Sequence, residues 1–273
     1  MFKLKMTYKV LLLLCLGLVL GSCGKDKFEK LRLSNDTELK YTKAFEYYEA
    51  EEYQKAQYLL EDLIGMVRLT ERAEKVYFYY AYTHYHLSNY TFSSYYFKQF
   101  YNTFPNGESA EEALFMSAES FYELSPIYRL TQEDTDKAIE GYQLFANSYP
   151  KSERLSICNQ KIDELRSKLE EKALESAKGY YRRRHYQAAN HSFNSLLVDF
   201  PDTKNKEYIR FMLIKSAYKY ALASVLSKQV ERFESAVKHF KMFKKRHAES
   251  DYFKEAENIR NTAIQKIKKL QNE

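Results

Sequence analysis

The chain has 273 residues, 45% hydrophobic and 29% charged, with a net charge of +6. That balance belongs to a folded domain rather than a disordered or membrane-spanning one. Setting aside Lys3, Lys5 and Lys9 leaves a charge of +3, too little for a nucleic-acid footprint.

Aromatic content is high, with 26 Tyr and 18 Phe but no Trp. Only 7 Gly and 4 Pro are present, so sharp turns are few. Long helices with ring-filled cores are expected.

Residues 1–22 read as a targeting segment. Lys3, Lys5 and Lys9 form a positive start, and Val10–Leu20 is an unbroken apolar run. The run is too short for a bilayer span of about 20 residues and fits a signal-peptide core. Leu20-Gly21-Ser22-Cys23 is similar to a bacterial lipobox. On that reading Cys23 is acylated and becomes the new N-terminus, and several acyl chains hold the chain on a membrane. An ordinary secretory signal that happens to contain a cysteine is the other reading. Gly24, where Asp would retain the chain at the inner membrane, favours the outer membrane. Cys158 is then the one remaining thiol of the mature chain, expected on a helix and buried. Residues 23–37 are rich in Lys, Asp, Glu and Asn and read as a polar tether.

Helical repeats follow. In Ser176–Pro201, Tyr186, Ala189, Phe193 and Leu196 recur at helical spacing and Pro201 closes the run. The same frame recurs as Tyr90, Ser93, Phe97, Phe100 and Pro105, and as Thr135, Ala138, Tyr142, Phe145 and Pro150. Two copies lack the proline: Tyr53, Ala56, Leu60, Leu63 and Phe233, Ala236, Phe240, Phe243. Small residue, aromatic and closing proline at these offsets are the signature of tetratricopeptide repeats. The predicted fold is all-α: a tetratricopeptide-like superhelix of about five helix pairs with a C-terminal capping helix. Repeats one to three occupy 38–150, and repeats four and five with the cap occupy 151–273.

Within this frame the pairs are expected at about Glu38–Met66, Ala73–Phe104 and Ser109–Tyr149. A long charged helix, about Arg154–Ala177, leads into the fourth. The first helix of the fifth is expected over about Lys206–Ser227, and the cap over about Tyr252–Leu270. The third pair carries an insertion, Ser125–Gln132, in which Thr131 and Asp134 read as a capping box.

No catalytic constellation is visible. The glycines are scattered, so no phosphate-cradling loop exists, and there is no Gly-x-Ser-x-Gly elbow. His84 and His86 are two apart and face different ways on a helix, and His185 and His191 are also out of phase. No metal or cofactor is expected.

Binding surface is what remains. The groove-facing positions are Tyr41, Phe45 and Tyr48 in repeat one, Phe78, Tyr82 and Tyr85 in repeat two, and Phe115 and Tyr122 in repeat three. Such rings suit an extended, aromatic-rich peptide, although each could equally be core. Arg182, Arg183 and Arg184, with Lys238, Lys241, Lys244, Lys245 and Arg246, form basic clusters. They are either solvated faces or a docking surface for an acidic partner.

Signal segment, lipobox cysteine and five degenerate repeats together resemble the BamD family, lipoproteins of the β-barrel assembly machine of bacterial outer membranes. The resemblance is sharpest at Tyr149-Pro150-Lys151-Ser152, at Leu197–Thr203, and at the Ser125-Pro126-x-Tyr128-x-Leu130-x-Gln132 insertion. Repeat one departs from the pattern at Arg68, where its proline would stand. The resemblance implies a non-catalytic scaffold anchored on the periplasmic face of the outer membrane. Its C-terminal repeats would bind the periplasmic domains of the barrel protein BamA, alongside the other lipoproteins of that machine. Its N-terminal repeats would receive the C-terminal signal of unfolded outer-membrane proteins. A lipid-anchored repeat scaffold for division, secretion or peptidoglycan synthesis would share fold and anchor and differ in partner. A lipoprotein enzyme is the third reading.

Overall fold

Each helix pair is built by a small residue that lets two helices approach and a large side chain, aromatic in all but the first pair, that fills what they leave open. The computed structural model describes residues 27–272. After a short helix α1 over 27–32 come α2 (Thr37–Glu49), α3 (Tyr53–Val67), α4 (Ala73–His86), α5 (Tyr90–Thr103), α6 (Ala110–Leu124) and α7 (Glu133–Ser148). These are followed by α8 (Leu155–Arg182), α9 (Tyr186–Asp199), α10 (Lys206–Leu222), α11 (Leu226–Arg246) and α12 (Phe253–Gln271). The described fold is therefore five tetratricopeptide-like pairs, α2/α3 to α10/α11, and a terminal helix.

The frame residues are the core. Ala56, Ser93, Ala138, Ala189 and Ala236 are all fully buried, as are Phe97, Tyr142 and Phe193 at the aromatic position. Contact is close enough that a methyl group on Gly141 of α7 would stand 2.9 Å from the Ala118 methyl of α6.

Pairs end in a recurring way. Phe104, Tyr149 and Phe200 cap α5, α7 and α9 with φ near −125°, because the following proline disfavours helical backbone. Two residues past each stop, hydroxyls of Ser152 and Thr203 donate to Glu111 and Glu170 on the pair's own first helix. Ser250 reaches Glu207 in the fifth pair in the same way. In the second, Gly107 takes that place against Glu74.

The turns inside pairs repeat too. Glu51, Ser88 and Arg184 have left-handed backbone, φ 58°, 58° and 64°. Each stands two residues before the Tyr that opens the second helix. Behind it, amides bond back to the last turn, as in Asn89 to His84 and His185 to Tyr180, closing the orphan carbonyls.

Four expectations need correction. The stretch 23–37 is not all loose tether: 27–32 is helical and Phe28 is buried against Tyr47 and Tyr58. Cys23 and residues 1–22 lie outside the described residues. The Thr131 capping box does not form, because α7 begins at Glu133 and its cap position is Gln132, whose side-chain oxygen accepts from Thr135 at 2.8 Å. Helix α10 ends at Leu222, so Leu226 and Ser227 belong to α11. The leading helix and the first helix of repeat four are one continuous 28-residue helix, α8.

The chain divides into two units. One takes the described residues to Pro126 with Gln132–Ile162; the other takes Ile127–Thr131 with the residues from Asp163 on. The division thus falls inside α8 rather than at 150/151. The first turns of α8 close the third pair, with Cys158 buried and Lys161 paired to Glu119 at 2.6 Å. Burial pushes the Cys158 thiol up to about 11, so it is an inert core residue. The tip of the insertion joins the second unit, where Lys172 donates to the Leu130 carbonyl at 2.6 Å.

Candidate peptide-binding and docking surfaces

In the first unit the first helices of pairs one and two bring their rings together. Tyr41 meets Phe45 (4.9 Å between centroids), Phe45 meets Tyr79 (5.1 Å), and Tyr79 meets Tyr48 (4.7 Å). The line continues through His86, 5.7 Å from Tyr48 and 5.9 Å from Tyr82, to Phe78, 5.0 Å from Tyr82. His86 also stacks on Tyr53 at 4.1 Å and shares a 3.1 Å hydrogen bond with the Tyr48 hydroxyl. Except for the exposed His86, these rings are half-buried. Burial raises the Tyr48 phenol, and burial with the Glu112 carboxylate raises that of Tyr82, so both stay neutral donors.

Two cations lie at one end of this belt. The Arg72 guanidinium is 4.6 Å over Tyr41 and bonded to Glu38 at 2.6 Å. The Lys75 ammonium is 4.3 Å over Phe45 and forms no ion pair among the described residues. Chemically the arrangement offers ring faces for aromatic side chains and an unspent positive charge for a carboxylate.

Five of the eight predicted groove residues, Tyr41, Phe45, Tyr48, Phe78 and Tyr82, are brought together. Tyr85 is half-buried beside Tyr90, 5.3 Å away, and touches the belt at His86. Burial, then Glu123 and Glu119, pushes its hydroxyl up to about 12. Tyr122 sits apart under the Lys161 ammonium at 4.0 Å. Phe115 is a correction: it is core, packed 5.5 Å from Phe145 and covered by Arg154 at 4.8 Å. Phe78 has a second role, since its ring also rests on Phe97 and Phe100.

Tyr79, Tyr53 and His86 were not among the predicted residues. The stripe Phe78-x3-Tyr82-x3-His86 on α4 carries the signal for His86.

In the second unit the basic residues are exposed. Arg182 lies 3.8 Å from Glu175, and Arg183 stands 5.3 Å over Tyr180. Arg184 lines an open cleft of about 750 Å³ with Tyr180, His185, Tyr186, His191 and Tyr220. Lys238, Lys241, Lys244, Lys245 and Arg246 are all exposed on α11, and none makes an ion pair among the described residues. Among those residues no three His, Cys, Asp or Glu side chains gather as a metal site requires. Nor is any described helix long and apolar enough to cross a membrane.

The model of the YfiO family, described as outer membrane lipoprotein, matches residues 34–207 and 173–270. The chain belongs to the YfiO family of outer membrane lipoproteins. Two solved structures of low sequence identity are similar to this YfiO-family protein. The P58(IPK) tetratricopeptide domain is 12% identical, over 92% of this chain and 70% of that one, with a TM-score of 0.42. The TPR2AB domain of yeast Sti1, solved with pHSP90, is 12% identical over 83% of this chain and 98% of its own, with a TM-score of 0.39. No curated protein sequence matches the YfiO-family chain described here.

Proposed function

We propose that this YfiO-family lipoprotein is a non-catalytic scaffold on the periplasmic face of the outer membrane, anchored by lipid on Cys23 and serving the assembly of β-barrel proteins. The first unit receives the C-terminal segment of an unfolded barrel protein. The second docks the periplasmic domains of a BamA-like barrel protein through Arg182–Arg184 and the α11 cations, and other lipoproteins of that machine join the assembly.

The observation that carries this reading is the aromatic belt with Lys75 at its end. A barrel protein's last residue supplies an aromatic ring and a terminal carboxylate. Ring faces and an unpaired ammonium answer both.

The test is a cycle of two changes. Peptides with an aromatic C-terminus are titrated as free acid and as amide against the native chain and Lys75→Gln. Losing an exposed charge pair costs about 1 kcal/mol, roughly fivefold in affinity. Lys75→Gln should weaken the acid by that factor and leave the amide unchanged. An equal loss for both peptides removes the carboxylate from Lys75.

Co-purification from detergent-solubilised envelopes tests the partner. A large outer-membrane barrel with periplasmic domains supports the assembly reading. Division, secretion or cell-wall proteins in its place overturn it.

A further inference from the structure

The helix standing where a tether was expected shortens the path from the anchor. Lys27 is already helical, and the Phe28 ring is seated 5.7 Å from Tyr47 and 6.4 Å from Tyr58. From Cys23 to Lys27 the chain takes four steps, which span about 14 Å at full extension. If Cys23 carries the lipid, as proposed above, it lies at the headgroups, a layer about 6 Å thick on each side of the bilayer. Lys27 then has little room to stand off.

The packing says which end of the first pair this is. Tyr47 is near the end of α2 and Tyr58 near the start of α3, and Lys27 shares a recess with Ala50 and Glu52 of the turn between them. We infer that the α2–α3 turn end of the first pair faces the lipid headgroups, so that the Tyr48–Tyr53–His86 end of the belt opens at the membrane and the Tyr41–Lys75 end points away. Charge does not impose this contact. Lys55 is paired to Glu52, and Lys27 and Lys43 share the recess with Glu46 and Glu52, a balanced set of charges. Tether length imposes it, and tyrosine rings with polar tips suit the interface it creates. A segment lying along the belt would meet the membrane end-on.

The chain has no Trp, so single reporters can be placed cleanly. Gln54→Trp sits at the turn, whereas Leu69→Trp, at a position 98% exposed, lies beyond the other end of α3. The two are separated by the length of a 15-residue helix, about 22 Å. The full acylated chain is placed in phosphatidylethanolamine–phosphatidylglycerol vesicles carrying a headgroup nitroxide. Gln54→Trp should lose most of its emission and Leu69→Trp should keep most of its own. Equal losses, or the reverse order, overturn the inference while leaving the anchor reading intact.

If Cys23→Ser still floats with the vesicles, the anchor reading fails and the inference fails with it. A Gly-Ser insertion of about 15 residues after Gly24 adds a coil of about 20 Å and should make the two positions equal. If the asymmetry persists, tether length is not its cause and the inference is overturned.

Discussion

The two units use the same frame for different surfaces. In both, the small residue and the aromatic of the second helix are spent inward: Ser93 and Phe97 in one, Ala189 and Phe193 in the other, all fully buried. In the first unit the first helices place rings beside rings, from Tyr41 to Tyr82, with one face open. In the second, Phe211 is buried, whereas Tyr181 and Tyr208 are half-buried as the belt rings are. Phe211 stacks on Tyr252 at 4.6 Å, and Tyr181 lies against Tyr186 at 5.4 Å. What the second unit exposes instead is cationic, at Arg182–Arg184 and along α11. Packing constrains the frame and leaves the remaining positions to differ, so function resides in those positions.

Core truncation should separate frame from surface with the largest effect. Phe97→Ala and Phe193→Ala each remove a fully buried ring, and each should cost about 3–5 kcal/mol by urea denaturation. Only Phe97 supports the belt, with Phe78 at 6.0 Å and Tyr82 at 4.9 Å. Peptide affinity measured below the unfolding transition should therefore fall for Phe97→Ala and hold for Phe193→Ala. Equal losses would mean that the belt is not confined to the first unit.

Acid should also destabilise the first unit, through His84. His84 is buried with its ring nitrogens within 3.1 Å of the Gln57 amide, and burial lowers its pKa to about 4. The folded chain thus holds His84 neutral, whereas the unfolded chain protonates it near 6.5. Protons bind the unfolded state more tightly, so stability is full above about 6.5 and falls as pH drops toward 4, by up to about 3 kcal/mol. Urea midpoints at pH 7 and pH 4.5 check this. His84→Gln should flatten that part of the slope, and an unchanged slope assigns it to the carboxylates.

Much of this was legible in the sequence, for reasons of geometry. The spacing of small and large residues along the second helix is set by helix pitch, so all five pairs stand where it puts them, the two without a closing proline included. The belt was half legible. Periodicity finds a face but not its cover: Phe115 shares the stripe of the groove rings, yet Arg154 from α8 lies over it. Tyr79 was hidden by adjacency to Phe78, one step round the helix, and reaches the belt only because α2 passes on that side. The tether was misread because its charges mask the pair Phe28 and Leu31, three apart and both packed on the first core. Composition averages over such a pair; helical spacing does not.

The smallest expected effect sharpens the comparison most. Arg184 pays in backbone strain for its place, since left-handed φ costs an ordinary residue about 1 kcal/mol that glycine escapes. Glu51 and Ser88 bear the same strain in the first unit. Ser88→Gly and Arg184→Gly should each stabilise the chain by up to about 1 kcal/mol, read as a raised urea midpoint. Their effects on binding should differ. Ser88→Gly removes no charge and should leave partner affinity as it was. Arg184→Gly removes a cation from the rim of the cleft and should weaken an acidic partner, more at low salt than at high. If both substitutions stabilise and neither touches binding, Arg184 is a turn residue only, and the docking surface of the second unit shrinks to α11.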